Sequence, residues 1–562
     1  RVCADNPLID PKEIDSLIEN FRKGKIDYLY NTMQTNDNFN SDGFGAEIFS
    51  FNALSKAHKL AKNKSDREHV TKFIRNNKKL FKSRCLESKL GLNFPYLKFD
   101  INTVKDFKKI ETLILDQKIN KFTNAKKIVE NKVTKEIDSY LNLLFPISRS
   151  LTGEGNLRTL KEISKITKIN IKRIPSEKKV YDWTVPKVWS VDEAWVRNSR
   201  TNEKIIDYNE NNLHLVNYSS SFSGIIGSKQ LLKKIYFHPK LKSAIPYKTS
   251  YFQKNWGFCV NQDIYKKILK SKDKFEVKIK TKFKKGNLVY GEKVIRGKSK
   301  HEILISTYIC HPSMANDNLS GIILTAYLAK FISSIKNRYW SYRIVFIPET
   351  IGALAYLNKN ESKMKKINFG LNICNVGGKG KFSYKKSFQN NHFLNDLIKE
   401  IFKNEKINLK EYPFDINGSD ERQYSSQFFK INICSIFKDK YYDFKEYHTS
   451  KDNLKFVKAI NIFKSLSIYQ KLIEKIESQV IFQSTKIKGE AMLSKYNLYP
   501  KVGGDILPGK KNLSNLDITL WLLHLADSTK PIKQISNLLN IDEENILRIY
   551  KKFEKKNLVY RV

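Results

Sequence analysis

An α/β fold, with a mostly parallel sheet flanked by helices, is what the middle of this 562-residue sequence predicts. Three observations carry that prediction. Apolar runs recur at Glu302–Cys310, Arg343–Pro348, Phe369–Val376 and Ile431–Phe437, and near-continuous apolar character suits strands covered on both faces. Leu319–Ile335 has a helical period and lies between the first two runs, giving the strand–helix–strand order of a parallel sheet. Between about 178 and 300 the pattern shifts to short alternating strands with aromatic residues, at Asp182–Pro186, His214–Val216, Phe275–Ile279 and Leu288–Tyr290. That stretch predicts a β-rich insert.

In chain order, residues 1–118 mix short apolar runs with helical patterns such as Pro11–Phe21. A Lys-rich helical stretch follows over about 119–144 and leads into the α/β segment at 130–480. The last part, 490–562, is short and helical: Leu516–Ala526, Ile532–Leu539 and Glu543–Lys555 have helical apolar spacing, and Asn557–Tyr560 suits a short strand. No internal repeat is evident.

At 41% hydrophobic and 12% aromatic the chain can bury real cores. Its net charge of +45 invites a nucleic-acid reading. Lysine is spread over the whole length, however, and phosphate binding needs clustered charge, so a nucleic-acid partner is not expected. No apolar run reaches the ~18 residues of a membrane span. The opening Arg1-Val2-Cys3-Ala4-Asp5 has no apolar signal-peptide core and no Met, which predicts a fragment or processed product. Six cysteines are scattered without a CxxC pair, and Cys310, Cys374 and Cys434 lie in or beside apolar runs. Buried free thiols in a reducing cytoplasm are expected.

Ligands of open α/β sheets gather beyond the carboxyl ends of the strands. His311 follows the first apolar run, Asp317 stands in the loop before the helix, and Glu349 ends the second run. His448 follows the aromatic and acidic stretch Tyr441–Tyr447. Two His and one Asp are good donors for a zinc-type ion, and a nearby Glu is the usual general base. Singly, each has a plainer reading: Asp317 as a helix cap, Glu349 as a loop carboxylate, His448 as a core histidine. It is their joint placement at strand ends and loops that points to a site.

His311…Asp317-Asn318-Leu319-Ser320-Gly321, Pro348-Glu349-Thr350-Ile351-Gly352, Gly418-Ser419-Asp420-Glu421 and Tyr447-His448-Thr449-Ser450-Lys451-Asp452 resemble, in order, the signatures of the zinc aminopeptidases that include glutaminyl cyclases. Leu144–Gly153, Tyr181–Pro186, Trp256–Cys259, Tyr308–Ser313 and Gly418–Tyr424 are similar to a bacterial group of aminopeptidase-like proteins associated with surface-polysaccharide biosynthesis. The resemblance covers about 130–562 and implies a zinc aminopeptidase-like domain with its β-rich insert and a C-terminal winged helix. Metal ligands His311, Asp317 and His448 and catalytic Glu349 follow from it. Thr350 stands where a dinuclear site needs a second carboxylate, and Cys374-Asn375 where it needs an Asp, so one zinc rather than two is expected. Asp420 or Glu421 is the expected source of any further carboxylate. Arg149 and Arg422 are candidates for gripping a substrate carboxylate or phosphate, with ordinary ion pairs as the alternative.

The first segment resembles the second half of a sugar cytidylyltransferase domain, through Arg1–Pro11, Asp27-Tyr28 with Asn31-Thr32, Gly45–Phe49, Arg67–Thr71 with Ile74-Arg75, and Leu97–Phe107. Asp5 aligns with a Mg²⁺-holding Asp of that family. The second expected Asp is Asn102 here, with Asp100 or Asp106 as substitutes, and the family's Gly-rich nucleotide loop is absent. No cytidylyltransferase activity is expected of this partial α/β nucleotidyltransferase domain.

Taken together, the sequence predicts a zinc-dependent amidohydrolase in a polysaccharide or glycoconjugate pathway, acting on a small-molecule, peptide or sugar-amide substrate, with homo-oligomerisation open. Two alternatives stand beside it: an inactive scaffold that binds a glycan or nucleotide-sugar intermediate, and a winged-helix regulator.

Overall fold

The computed structural model of the protein describes residues 1–31, 39–69, 71–87, 89–120, 122–502 and 513–562. Thr32 and Val70 of the cytidylyltransferase-like motifs lie outside the described residues.

One eight-stranded sheet organises the middle of the chain. Its strands are β1 (Asn170–Pro175), β2 (Asn287–Ile295), β3 (Glu302–Tyr308), β4 (Ser341–Ile347), β5 (Phe369–Asn372), β6 (Ser383–Lys385), β7 (Lys410–Tyr412) and β8 (Asn432–Phe437). They lie in the order β7-β6-β8-β5-β3-β4-β2-β1. The four central strands β4, β3, β5 and β8 are parallel. The flanks are not: β2 is antiparallel to β4 and to β1, and β6 is antiparallel to β8 although parallel to β7. The sheet is therefore mixed, with the expected parallel order confined to its centre. The short link 296–301 between β2 and β3 explains one flank, since a parallel crossover needs a dozen or more residues. It also corrects the insert: Leu288–Tyr290 belong to β2 of the main sheet.

Five helices matter for the site: α1 (Ala125–Leu144), α2 (Glu154–Ile166), α3 (Gly321–Ser334), α4 (Ile351–Lys359) and α5 (Ala459–Glu477). Alternate residues of a strand face opposite sides. Ile303 and Ile305 of β3 accordingly join a core with α1, α3 and α5. Leu304 joins a second core with α4 and the insert. Burial on both sides is why β3 and β4 read as unbroken apolar runs. The buried charge among them is Arg343, only 3% exposed, which is matched by Glu292 at 2.6 Å and Glu302 at 2.5 Å; a buried guanidinium needs such partners.

The insert is a four-stranded antiparallel sheet of Val188–Asn198, Lys204–Asp207, Phe222–Gly227 and Lys274–Lys284. His214–Val216, expected as a strand, instead forms the end of a short 3₁₀ turn and an isolated bridge from Leu215 to Phe258.

The first segment centres on a three-stranded sheet, Tyr28–Tyr30 between Glu47–Phe49 and Ser83–Cys85. It shares its packing with the middle of the chain. Phe94 stacks on Phe463 of α5 at 5.5 Å, and the Asp10 carboxylate accepts the Ala125 N–H of α1 at 2.8 Å. The tail has helices Asn515–Leu525, Ile532–Leu539 and Glu543–Lys555. They pack on a three-stranded sheet whose central strand, Ile481–Ser484, lies between Asp527–Pro531 and Val559–Arg561. Among the described residues no helix is long and apolar enough to cross a membrane.

Candidate metal centre

The parallel strands deliver four polar side chains to one end of the sheet. His311 follows β3, Glu349 follows β4, Asp317 sits in the turn before α3, and His448 comes from the loop before α5. The Asp317 turn is held from several directions. Asp452 accepts the Asn316 and Asp317 N–H groups at 2.6 and 2.9 Å, tying this turn to the loop that carries His448. Asn318, joined to Asp317 by a cis peptide bond, donates to Thr307 Oγ1 at 2.9 Å and to the Tyr308 carbonyl at 3.1 Å. Gly321 is required there, because a Cβ would stand 2.2 Å from Asn318 Oδ1 and 2.6 Å from the Ile373 carbonyl oxygen.

Around this turn three donor atoms converge. His311, Asp317 and His448 place ligand atoms within 4.8 Å of one another. His448 Nε2 lies 3.0 Å from Asp317 Oδ2, and His311 Nδ1 lies 3.6 Å from Asp317 Oδ1. Two donors at ~2.0–2.1 Å from a tetrahedral ion stand about 3.3 Å apart, so these spacings suit a shared cation. The two imidazole centroids are 5.4 Å apart. His311 Nδ1, Asp317 Oδ2 and His448 Nε2 are buried atoms that make no well-directed hydrogen bond in the protein, the last two facing each other at 3.0 Å. Buried polar atoms are almost always satisfied; three unsatisfied ones aimed together fit a zinc-type ion. The other carboxylate oxygen, Asp317 Oδ1, accepts the Tyr308 hydroxyl, the kind of outer contact that orients a ligand.

Electrostatics agree with that fit. Burial lowers the His311 imidazole to about 4, outweighing the pull of Asp317, so the ring is neutral and able to ligate. Burial pushes the Asp317 carboxyl up, but the two imidazoles and the Tyr308 hydroxyl reverse this and hold it below the ordinary value. Burial and the negative charge of Asp317 push Glu349 up to about 7, the range that suits a general base near neutral pH. Glu349 Oε2 is 3.6 Å from His311 Nε2, and its backbone N–H donates to the Cys310 sulfur at 3.2 Å. Cys310, His311 and Glu349 form a second close group of donors.

The neighbouring residues divide differently from expectation. Glu421 is 1% exposed and already saturated by Lys385 Nζ at 3.0 Å, the Tyr441 hydroxyl at 2.6 Å, Asn372 Nδ2 at 3.0 Å and the Ser419 N–H at 3.1 Å. That ring of donors leaves it no room for a metal and removes it as a spare carboxylate. Asp420 Oδ1 accepts the N–H of Thr350 at 2.7 Å, holding that residue at φ 59°, while Oδ2 has no protein partner. Asp420 stands outside the donor cluster. Cys374 is fully buried against Tyr308, Phe437 and Tyr441, burial raises its thiol well above the ordinary value, and it stands outside both groups of converging donors.

Arg149 also differs from expectation. It is 1% exposed and donates to the carbonyl oxygens of His311 at 2.9 Å and Leu144 at 2.8 Å. It therefore clamps the loop carrying His311 onto the end of α1, while its Nη2 is buried without a hydrogen-bond partner. Arg422 is exposed, with one long contact to the Ile416 carbonyl at 3.4 Å. In the first segment Asp5 is exposed. Asp106 is engaged by Thr103 at 2.7 Å in a helix cap, and Asp100 accepts Asn102 Nδ2. No group of metal donors forms around Asp5 among the described residues.

Sequence reasoning missed Tyr308, Lys385 and the anchoring role of Asp452. Asp452 and Tyr308 had a visible signal, their places in the Tyr447–Asp452 and Tyr308–Ser313 motifs; Lys385 had none.

Comparison with known proteins bears on both parts of the chain. Residues 1–141 match the family described as cytidylyltransferase. A spore coat polysaccharide biosynthesis protein of Bacillus subtilis is 30% identical over 116 residues, 20% of this chain and 45% of that protein. A Clostridium acetobutylicum protein, whose description names polysaccharide biosynthesis and an aminopeptidase-like domain, is 37% identical over 401 residues, 71% of this chain and 90% of that protein. A solved structure of a candidate peptidase from Clostridium acetobutylicum aligns with a TM-score of 0.61 and 32% identity, covering 81% of this chain and all of that one. Residues 139–479 match the family described as domain of unknown function DUF4910, and the chain, with its aminopeptidase-like fold, belongs to that family.

Proposed function

We propose that the chain is a zinc-dependent amidohydrolase acting in polysaccharide or glycoconjugate biosynthesis, with one ion held by His311, Asp317 and His448. The observation that carries this reading is the convergence of three buried donor atoms, two from the connection between β3 and α3 and one from the loop before α5. Three protein donors with an open fourth position are the pattern of a catalytic rather than a structural zinc site. When bound, zinc supplies Lewis acidity that activates water and polarises an amide carbonyl. Glu349 accepts the water proton at its carboxylate and returns it to the leaving nitrogen. Tyr308, Asp452 and Arg149 keep the donor loops in register, and exposed Arg422 is the residue free to meet an anionic group of the substrate.

Thr350, saturated Glu421 and buried Cys374 favour a single ion. The tail's three helices over a three-stranded sheet fit a winged helix. Its last helix opens on Glu543 and Glu544, charges that repel phosphate, so we assign the tail to protein packing rather than DNA. The test is zinc content of the purified protein together with hydrolysis of a panel of aminoacyl and N-acyl-sugar amides. One zinc per chain with turnover is expected. No zinc under zinc-replete conditions sinks the proposal and leaves a binding scaffold.

A further inference from the structure

The tail helix Asn515–Leu525 is apolar on every side: seven of its 11 residues are Leu, Ile or Trp. A helix of that kind is built for neighbours all round. The tail's own core takes one side, where Leu522 and Leu525 are the fully buried members. On another side Asp517, Leu520, Trp521 and His524 follow one another at i, i+3, i+4 and i+7, which makes them a single stripe. With residues from 483–491 this stripe lines a groove of about 710 Å³. Trp521 is 43% exposed there and Ile487 74%, and Met492, next to the groove, is 71% exposed. Large apolar side chains grouped in water mark a surface that another molecule covers.

The order of residues along the stripe selects what covers it. A carboxylate stands at the N-terminal end, an imidazole at the C-terminal end, and Leu520 and Trp521 lie between. The Asp517 carboxylate is fixed at its end by the Ser514 N–H and hydroxyl, at 2.7 and 2.6 Å. A two-fold axis passing between positions 520 and 521 lays this stripe antiparallel on itself. Leu520 then meets Trp521 of the second copy, and Asp517 meets His524, whose ring N–H can donate to the carboxylate. The helix dipoles oppose each other as well. Such reciprocity is the mark of a two-fold interface; an unrelated peptide gives no reason for the two ends of one stripe to complement each other. Charge agrees. The chain carries +45, so copies repel over much of their surface. The groove, however, sets Glu490 and Asp517 against one lysine, Lys486, among the described residues, which suits a like-charged copy and not a nucleic acid. We propose that this stripe is a self-association surface, the helix Asn515–Leu525 pairing antiparallel with the same helix of a second copy of the chain. The pairing needs no metal and stands independently of the hydrolase reading.

Sedimentation velocity of the full-length protein reads the pairing. A small apolar patch belongs to the weak end of interfaces, so the runs span about 1 to 100 µM chain. A reversible monomer–dimer equilibrium is expected. W521E should weaken it at least about tenfold. H524E sets a carboxylate against Asp517 of the second copy and should weaken it by about as much, whereas H524K faces that carboxylate with a cation and should hold or tighten the dimer. Unchanged far-UV circular dichroism in each variant separates lost pairing from lost folding. Should W521E fail to fold, W521C serves instead: it lies beside the axis, and a short bismaleimide should link its copies in greater yield than it links the wild-type protein through its own cysteines. A monomer at every concentration, a dimer indifferent to W521E and H524E, equal weakening by H524E and H524K, or crosslinking of W521C no greater than wild type overturns the interface.

Discussion

Two neighbouring groups of buried charged side chains sit at the same end of the sheet and are finished in opposite ways. Around Asp317 three donor atoms are left without a well-directed hydrogen bond. A short way off, Glu421 is ringed by an ammonium, a phenol, an amide and a backbone N–H. Lys385 Nζ in turn also contacts the Asp415 and Asn417 carbonyl oxygens, each at 2.9 Å. One group is open for a cation from solution; the other carries its own in Lys385. Carboxylates alike in burial thus differ in role, and the partner list separates them better than exposure does.

The sharpest way to break this contrast is at the open group. D317N should lose the zinc and lower turnover by at least about 10³-fold, since a Lewis-acid contribution of several kcal/mol disappears; elemental analysis and amide hydrolysis read both. E349Q should keep full zinc and still lose about 10²–10⁴-fold in kcat, which separates proton transfer from metal holding. A variant that loses zinc as well would place Glu349 among the ligands. At the closed group the effect moves from chemistry to stability. K385M strands a buried carboxylate and should cost about 3–5 kcal/mol in denaturant unfolding, and K385M/E421M should recover part of that loss. The smallest effect belongs to the first segment: D5N should change stability by less than about 0.5 kcal/mol and leave zinc content and turnover as they were.

The central strands were legible in the sequence because burial on both faces leaves mostly apolar residues to read. β2 was misassigned because Gly291, Glu292 and Lys293 interrupt it, and Glu292 is there to serve Arg343, a partner distant along the chain. His311, Asp317, Glu349 and His448 were legible through their place at strand ends and through motif order. Lys385 was not. Among 102 Lys and Arg, nothing local marks one lysine as buried, and only the fold brings Glu421 to it. The clamping role of Arg149 was not legible for the same reason, since the partners it has are main-chain oxygens that leave no trace in residue types.

The contact of Phe94 with Phe463 has a consequence for anyone dissecting the molecule. With Phe94, Phe99 and Leu97 filling the same core as α1 and α5, severing the chain ahead of α1 would strip cover from apolar helix faces and invite aggregation. The leading segment thus covers its neighbour's interior.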